Sequence, residues 1–502
     1  MAETKDGFQV VAAIDFGTTY SGYAFSFRNN PMDITTNFWK SGTAGLISLK
    51  TPTCILCDKK GEFNAFGFEA ERKYAAVAGE GKQNEWTLFR RFKMILHNET
   101  AGIASERLQL ALEPEVASIW CQTDSPSSTI ALAGPGTQYM VVDLGGGTAD
   151  ISVHERLQDG SLKEIEKASG GPWGGINVDE NYITFLGEIF GEEALSDLKD
   201  TNMEDYFKIL NEFEGKKRNF TGELAANFVI KFSPSLRNKS QETFGKSLQN
   251  RIEELGYRSE ITVKPTKMLV STRIVSNWFE GPVTKLINHI RKILSYRTMR
   301  NVHTIVLVGG FSESKYVQTC VGNEIQGRRC IIPHEAGLAV LKGAVKFGHF
   351  PFAVKSRVLR YTYGVCIDSS IHSEESKFFK LQYNDWRARD CFKVFAAVDD
   401  EVRYDTEFVY KFAQRGTIST SVRIFRSTER SPVYVTEPDC EFLGTIELNH
   451  TIDYVTIQIT FMFGQTELMV KARLMESGRE STAVLNCIPK GRLKETGRGQ
   501  RK

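Results

Sequence analysis

Long apolar runs are missing from this chain of 502 residues: no stretch approaches the roughly 18 consecutive apolar residues of a membrane-spanning helix. An excess of charge of either sign is missing too. Sixty-three basic residues against sixty-one acidic give a formal charge of +2, which supplies no bulk reason to expect nucleic acid or an anionic membrane as partner. Cysteine is scarce and odd in number, nine scattered from Cys54 to Cys487, which reads as reduced thiols rather than a disulfide framework. Cys54 and Cys57 form a CxxC pair in the strand-like stretch TPTCILCD, but no second pair and no nearby histidine pair turns it into a metal site. The opening MAETKDGFQ lacks the basic then apolar pattern of a secretory signal. A cytoplasmic location, with the nucleus as alternative, is expected. Phosphate-binding sequences of the two commonest kinds are also missing: there is no GxxxxGK followed by Ser or Thr, and no GxGxxG opening a helix after a strand.

What is present begins with a repeat. FQVVAAIDFGTTYSGYAFSF, residues 8–27, reads as strand, small-residue turn, strand. TQYMVVDLGGGTADISVHE, residues 137–155, has the same plan, with Asp143 in the place of Asp15. A unit that recurs at domain scale predicts two similar half-domains. Helical periodicity follows each unit, in NYITFLGEIFGEEALSDL, in MEDYFKILNEFEGKKRNF and in PVTKLINHIRKIL, where Val283, Leu286, Ile287, Ile290 and Leu294 share a face. VHTIVLVGGFSES, residues 302–314, predicts a buried strand ending at Gly309 and Gly310, and EAGLAVLKGAVKFG a further helix. Beyond about residue 352 come short β-branched and aromatic runs, among them RVLRYTYGVCID, CFKVFAAV, EVRYDTEFVYKF, SVRIFRS, PVYVTE and TIDYVTIQITFMF. These predict an all-β domain built as a sandwich. The expected organisation is a first lobe at 8–136, a second at 137–350, the β domain at 353–487 and a basic disordered tail at 488–502.

Two glycine-rich turns facing each other across a cleft have an evident use. The amides of Gly17, Thr18, Thr19, Gly145, Gly146, Gly147 and Thr148 form nests for phosphate oxygens. Asp15 and Asp143 beside them would repel phosphate unless a cation intervened, and Mg²⁺, held through water by one or two carboxylates plus phosphates, resolves the conflict.

DFGTT, DLGGGTAD and VLVGGF in this order resemble the seventy-kilodalton heat-shock protein family of the actin-like ATPase superfamily, most closely its divergent protein 12 branch. The resemblance implies an α/β fold with duplicated actin-like (ribonuclease H-like) ATPase lobes and an all-β C-terminal domain. It implies ATP or ADP as ligand with Mg²⁺, a first phosphate loop of Asp15, Gly17, Thr18, Thr19 and Tyr20, and a second running from Asp143 to Asp150. By the same resemblance Glu113 in ALEPEVASI and Asp150 position the attacking water, and Lys93 in FRRFKMIL meets the γ-phosphate. Glu214 is implied at the ribose, Lys217 and Arg218 around the base, and Gly309 and Gly310 on the nucleotide's other side. The implied activity is slow hydrolysis by in-line attack of water, coupled to the angle between the lobes, with a protein or peptide client at the β domain.

The chain departs from that family in three places. Only the short stretch MILHNETAGIASERLQLAL separates Lys93 from Glu113, where the family carries a further strand and helices, so unpaired backbone and an exposed apolar face are expected in the first lobe. Phe311 and Glu313 replace the small hydroxyl residue and the arginine that follow the family's glycines. FAVKSRVLRYT stands where an acidic, leucine-rich linker belongs, and neither a helical lid nor an acidic co-chaperone motif follows the β domain. Two readings remain open: a chaperone-like ATPase, or a nucleotide-binding scaffold without useful hydrolysis. A sugar kinase and a filament former fit less well, because the appended β domain is better explained by a protein partner.

Overall fold

The computed structural model describes residues 8–40, 47–93, 108–122, 132, 134–224, 227–370, 378–380, 386–404, 406–415, 419–450, 454–463 and 467–486. The short Lys93–Glu113 connection, over 94–107, and the expected tail lie outside these residues. The chain divides into two compact units, Met1–Ala353 and Val354–Lys502.

In the first unit the run VVAAIDF makes strand β1 (Val10–Phe16), GTT turns it, and β2 (Tyr20–Phe27) returns antiparallel with Asp15 opposite Gly22. Both β3 (Asn30–Thr36) and the short β4 (Thr51–Pro52) pair with β2. Helix α1 (Glu113–Cys121) follows, with Pro114 in its first turn, where a missing N–H costs nothing.

The second hairpin repeats the first with a richer setting. QYMVVDL makes β5 (Gln138–Leu144), and β6 (Ala149–Arg156) pairs with it antiparallel, with Asp143 opposite Asp150. β7 (Leu162–Gly171) extends the sheet beyond β6. On the other side of β5 run β8 (Val302–Val308) and then β9 (Arg329–Ile331), both parallel. Helices α2 (Ile176–Phe190), α3 (Met203–Asn219) and α4 (Thr272–Leu294) bury apolar faces in the same core, where Met140, Val142 and Ile151 meet Phe185, Phe279 and Ile287. Periodicity alone places the start of α4 at Pro282; the helix begins earlier, at Thr272, and runs through that proline. Pro282 has no N–H for the carbonyl of Trp278 four residues back, and Asn181 Nδ2 donates to it instead at 2.8 Å.

Helix α5 (Ala339–His349) covers one face of the first sheet, packing Leu341 and Val345 on Ala13 and Ala24. It also meets α1 backbone to backbone, since a Cβ on Gly343 would fall 1.8 Å from Val116 O. The opposite face of β1 and β2 carries Val10, Ile14, Tyr23 and Phe27, all exposed, with Ile14 at 78%. Among the described residues β1 has a strand on one side only.

The second unit is all-β. One antiparallel sheet holds Phe378–Lys380, Trp386–Ala396, Thr362–Ser370, Ser419–Ser427 and Cys440–Asn449 in that order, and another holds Glu407–Arg415, Tyr454–Met462, Glu467–Leu474 and Glu480–Asn486. Val365, Ile424 and Ile446 of the first share a core with Ile459, Phe461 and Val470 of the second, which is sandwich packing. PVYVTE is a turn rather than a strand, with a single bridge from Tyr434 to Cys391; Pro432 opens it and Pro438 follows it, and both interrupt any longer ladder.

Candidate functional site

Both glycine turns open on one cavity of about 540 Å³, within the ordinary range for small-molecule sites. Asp15, Gly17, Thr18, Thr19, Tyr20, Lys93, Glu113, Asp143, Gly145, Gly146, Gly147, Thr148, Glu214, Lys217, Arg218, Gly309 and Gly310 all line it. Asp150 does not line it but accepts a hydrogen bond from Thr148 Oγ1, a lining residue, at 2.8 Å.

The turns touch. A Cβ on Gly146 would fall 2.0 Å from Thr19 Oγ1, and one on Gly147 would fall 3.2 Å from Thr18 Oγ1. Only glycine lets the second turn approach the first so closely. Thr19 Oγ1 is buried without a hydrogen-bond partner, an unsatisfied hydroxyl of the kind a bound polar group completes. Gly309, at φ +85°, brings the end of β8 against β5, where a Cβ would meet Asp143 Oδ1 at 2.2 Å.

Carboxylates crowd this end of the cavity. Asp143 is 4% exposed, and burial, reinforced by Glu113 and Asp150, raises its carboxyl well above the usual range. Although the Glu113 side chain is 41% exposed, desolvation in the cleft, with Asp15 and Asp150 after it, also pushes its carboxyl up, against the pull of Lys93 at 4.0 Å. Among the described residues no three His, Cys, Asp or Glu side chains are grouped tightly enough to hold a metal by themselves. A cation held beside Asp143 would therefore need water and phosphate to complete its shell.

Two participants are not apparent from sequence. Lys50 Nζ lies 2.6 Å from Asp15 Oδ2, although it is 35 residues away and its stretch LISLKTPT carries no motif. Asp179, on α2, anchors an ion-pair chain that no motif around it announces. Lys217 Nζ is held by Asp179 at 2.6 Å and Glu214 at 2.7 Å, Arg91 reaches Asp179 at 3.3 Å, and Arg218 joins Glu214 at 3.2 Å to Glu313 at 3.3 Å. Burial alone would raise Glu214; Lys217 and Arg218 outweigh it and hold the carboxyl at about 2. Glu214, Lys217 and Arg218 share one face of α3 at steps of three and four. Phe311 turns inward, 6% exposed, onto Phe279.

Cys54 and Cys57 sit three apart on one strand, Cys54 buried and Cys57 half-buried, both as free thiols.

Residues 134–346 match the family model described as Hsp70 protein. Heat shock 70 kDa protein 12B of Homo sapiens is 26% identical over 633 aligned positions, covering 97% of this chain and 92% of that one. Heat shock 70 kDa protein 12A of Homo sapiens is 27% identical, covering 93% and 90%. Chaperone protein DnaK of Thermotoga neapolitana is 24% identical over 225 residues, 43% of this chain and 32% of that one. The 633 positions exceed the 502 residues by 633 − 502 = 131, so at least that many places in the first alignment have no residue from this chain. A crystal structure of MreB 5 of Spiroplasma citri bound to AMPPNP aligns with 68% of this chain and 96% of that one at 12% identity and TM-score 0.40, a likeness too loose to build on.

Proposed function

We propose that this chain of the seventy-kilodalton heat-shock protein family, with its paired actin-like lobes, binds ATP and ADP with Mg²⁺ and hydrolyses ATP slowly, the nucleotide setting the angle between the lobes. One observation carries the reading: the turn at Gly17–Thr19 and the turn at Gly145–Thr148 meet over a cavity of about 540 Å³. Amides of both turns serve as phosphate donors, apart from that of Gly145, which the sequence pattern includes but which donates to Thr148 O at 2.9 Å, and the unsatisfied Thr19 hydroxyl adds another.

A magnesium ion bound beside Asp143 would neutralise phosphate charge and relieve the crowding of Asp143, Asp150 and Glu113. Glu113, raised above an ordinary glutamate, accepts a proton from water more readily than a free carboxylate does, and Asp150 orients that water through Thr148. Lys93 faces the same carboxylate from the first lobe. The Glu214–Lys217–Arg218 face of α3 takes the nucleoside. Positioning and electrostatics, with no covalent intermediate, lower the barrier.

A second reading has support of its own. The pairing of β1 on one side only among the described residues and the direct Lys50–Asp15 pair favour a scaffold that binds nucleotide without useful turnover. The β sandwich is assigned to a protein or peptide client on the family resemblance, and free thiols at Cys54, Cys57 and Cys320 support a cytoplasmic setting. Calorimetry of the full chain with ATP and ADP, with and without Mg²⁺, followed by phosphate release, separates the readings. Binding with release supports the ATPase, binding without release leaves the scaffold, and no binding removes both.

A further inference from the structure

Gly22 and Asp150 hold the same place in the two hairpins, since each stands directly opposite the aspartate of its own turn. In the second hairpin the cross-strand partner adds a carboxylate. In the first it adds no side chain, and the stem of Lys50 takes the space, its Cγ 3.2 Å from where a Cβ on Gly22 would stand. The ammonium then pairs with Asp15 at 2.6 Å, with the Lys50 side chain 19% exposed. Burial opposes that charge, and Asp15, Asp143 and Glu113 together more than restore it, raising Lys50 above an ordinary lysine.

The segment that carries Lys50 is fastened to the first turn itself. Ser48 Oγ donates to Lys50 O at 2.6 Å, Thr51 pairs with Ser21 of β2, and Thr53 donates from Oγ1 to Gly17 O at 2.7 Å and from its amide to Thr19 O at 2.8 Å. Lys50 is therefore placed by the same hydrogen bonds that shape the turn. An ammonium has three N–H donors and Asp15 engages one. Lys50 lines the same cavity as Thr18 and Thr19, so a phosphate bound at the first turn would find a fixed cation already in place.

We propose that Lys50 is a phosphate-binding residue of the first turn, a resident cation that occupies Asp15 and leaves the metal to the carboxylates of the second turn. This rests on the nucleotide reading and adds to it a division of labour: one turn meets phosphate charge with a lysine, the other through magnesium. Nucleotide affinity should then depend on magnesium less than it would if both aspartates had to share the ion.

The test is calorimetry of the full chain with ADP, in Mg²⁺ and in EDTA, for the parent, Lys50→Met and Lys50→Arg, with thermal melting as a check on folding. The parent is expected to lose less than about tenfold in affinity on moving to EDTA. Lys50→Met is expected to lose a further factor of about 10 to 100 in EDTA while recovering most of its affinity in Mg²⁺, because Asp15 is released to the metal. Lys50→Arg keeps the charge and should stay near the parent. An equal ratio of EDTA to Mg²⁺ affinity in parent and Lys50→Met overturns the role of Lys50 and leaves nucleotide binding standing. Should Lys50→Met fail to fold, the parent decides alone, since complete loss of ADP binding in EDTA contradicts a resident cation. No ADP binding by the folded parent even in Mg²⁺ overturns the nucleotide reading, and the role of Lys50 with it.

Discussion

The two hairpins share a backbone plan and differ in almost everything around it. β5 is flanked by β6 and β8, and every residue from Tyr139 to Leu144 is buried. β1 is flanked by β2 alone among the described residues, and Ile14 is 78% exposed. The electrostatics differ as well: Asp15 faces Gly22 and pairs with Lys50, while Asp143 faces Asp150 and is raised by burial and its carboxylate neighbours. On the proposed reading a duplicated turn fixes where phosphate is met, while the residues around each copy decide which positive charge meets it and how firmly the strand beneath is held.

That contrast can be broken at its strongest point first. Val142→Asp puts a charge into a strand buried on both faces, and a loss of more than about 4 kcal/mol is expected, read as loss of the cooperative melt or of soluble protein. Lys217→Met comes next. Lys217 is 5% exposed between Asp179 and Glu214, and removing one partner of such a buried group should cost about 3 kcal/mol, measured by denaturant titration. Asp143→Asn should weaken ADP binding in Mg²⁺ by about tenfold or more, as one charge-assisted contact is lost, measured by calorimetry. An Asp143→Asn protein with parental affinity would make the second turn purely structural. The smallest effect belongs to Ile14→Asp, within about 0.5 kcal/mol of the parent, again by denaturant titration. A large loss there would mean that something covers the outer face of β1, and the contrast between the sheets would shrink accordingly.

The parts legible in sequence are those written as local pattern. Apolar runs before DFGTT and DLGGGTAD specify strands, the glycines specify turns, and the return of the Asp15 pattern at Asp143 predicts that the turns belong to equivalent lobes. Three- and four-residue steps on α3 likewise place Glu214, Lys217 and Arg218 on one face. What could not be read depends on contacts across the fold. Lys50 is far along the chain from the aspartate it pairs with, and nothing in its stretch signals a charge folded over Gly22. Nothing around Asp179 in the sequence signals that Lys217 and Arg91 converge on it from other elements. Pro282 hides the start of α4, since the side chain that satisfies the Trp278 carbonyl, Asn181, comes from α2.

A crystal structure of the whole chain grown with ADP and Mg²⁺ tests the central claim most directly. The predicted result places the phosphates between Gly17–Thr19 and Gly145–Thr148, with Lys50 on the phosphate side and the metal beside Asp143. Phosphates bound away from these turns, or a cavity left empty at saturating ADP, would contradict it.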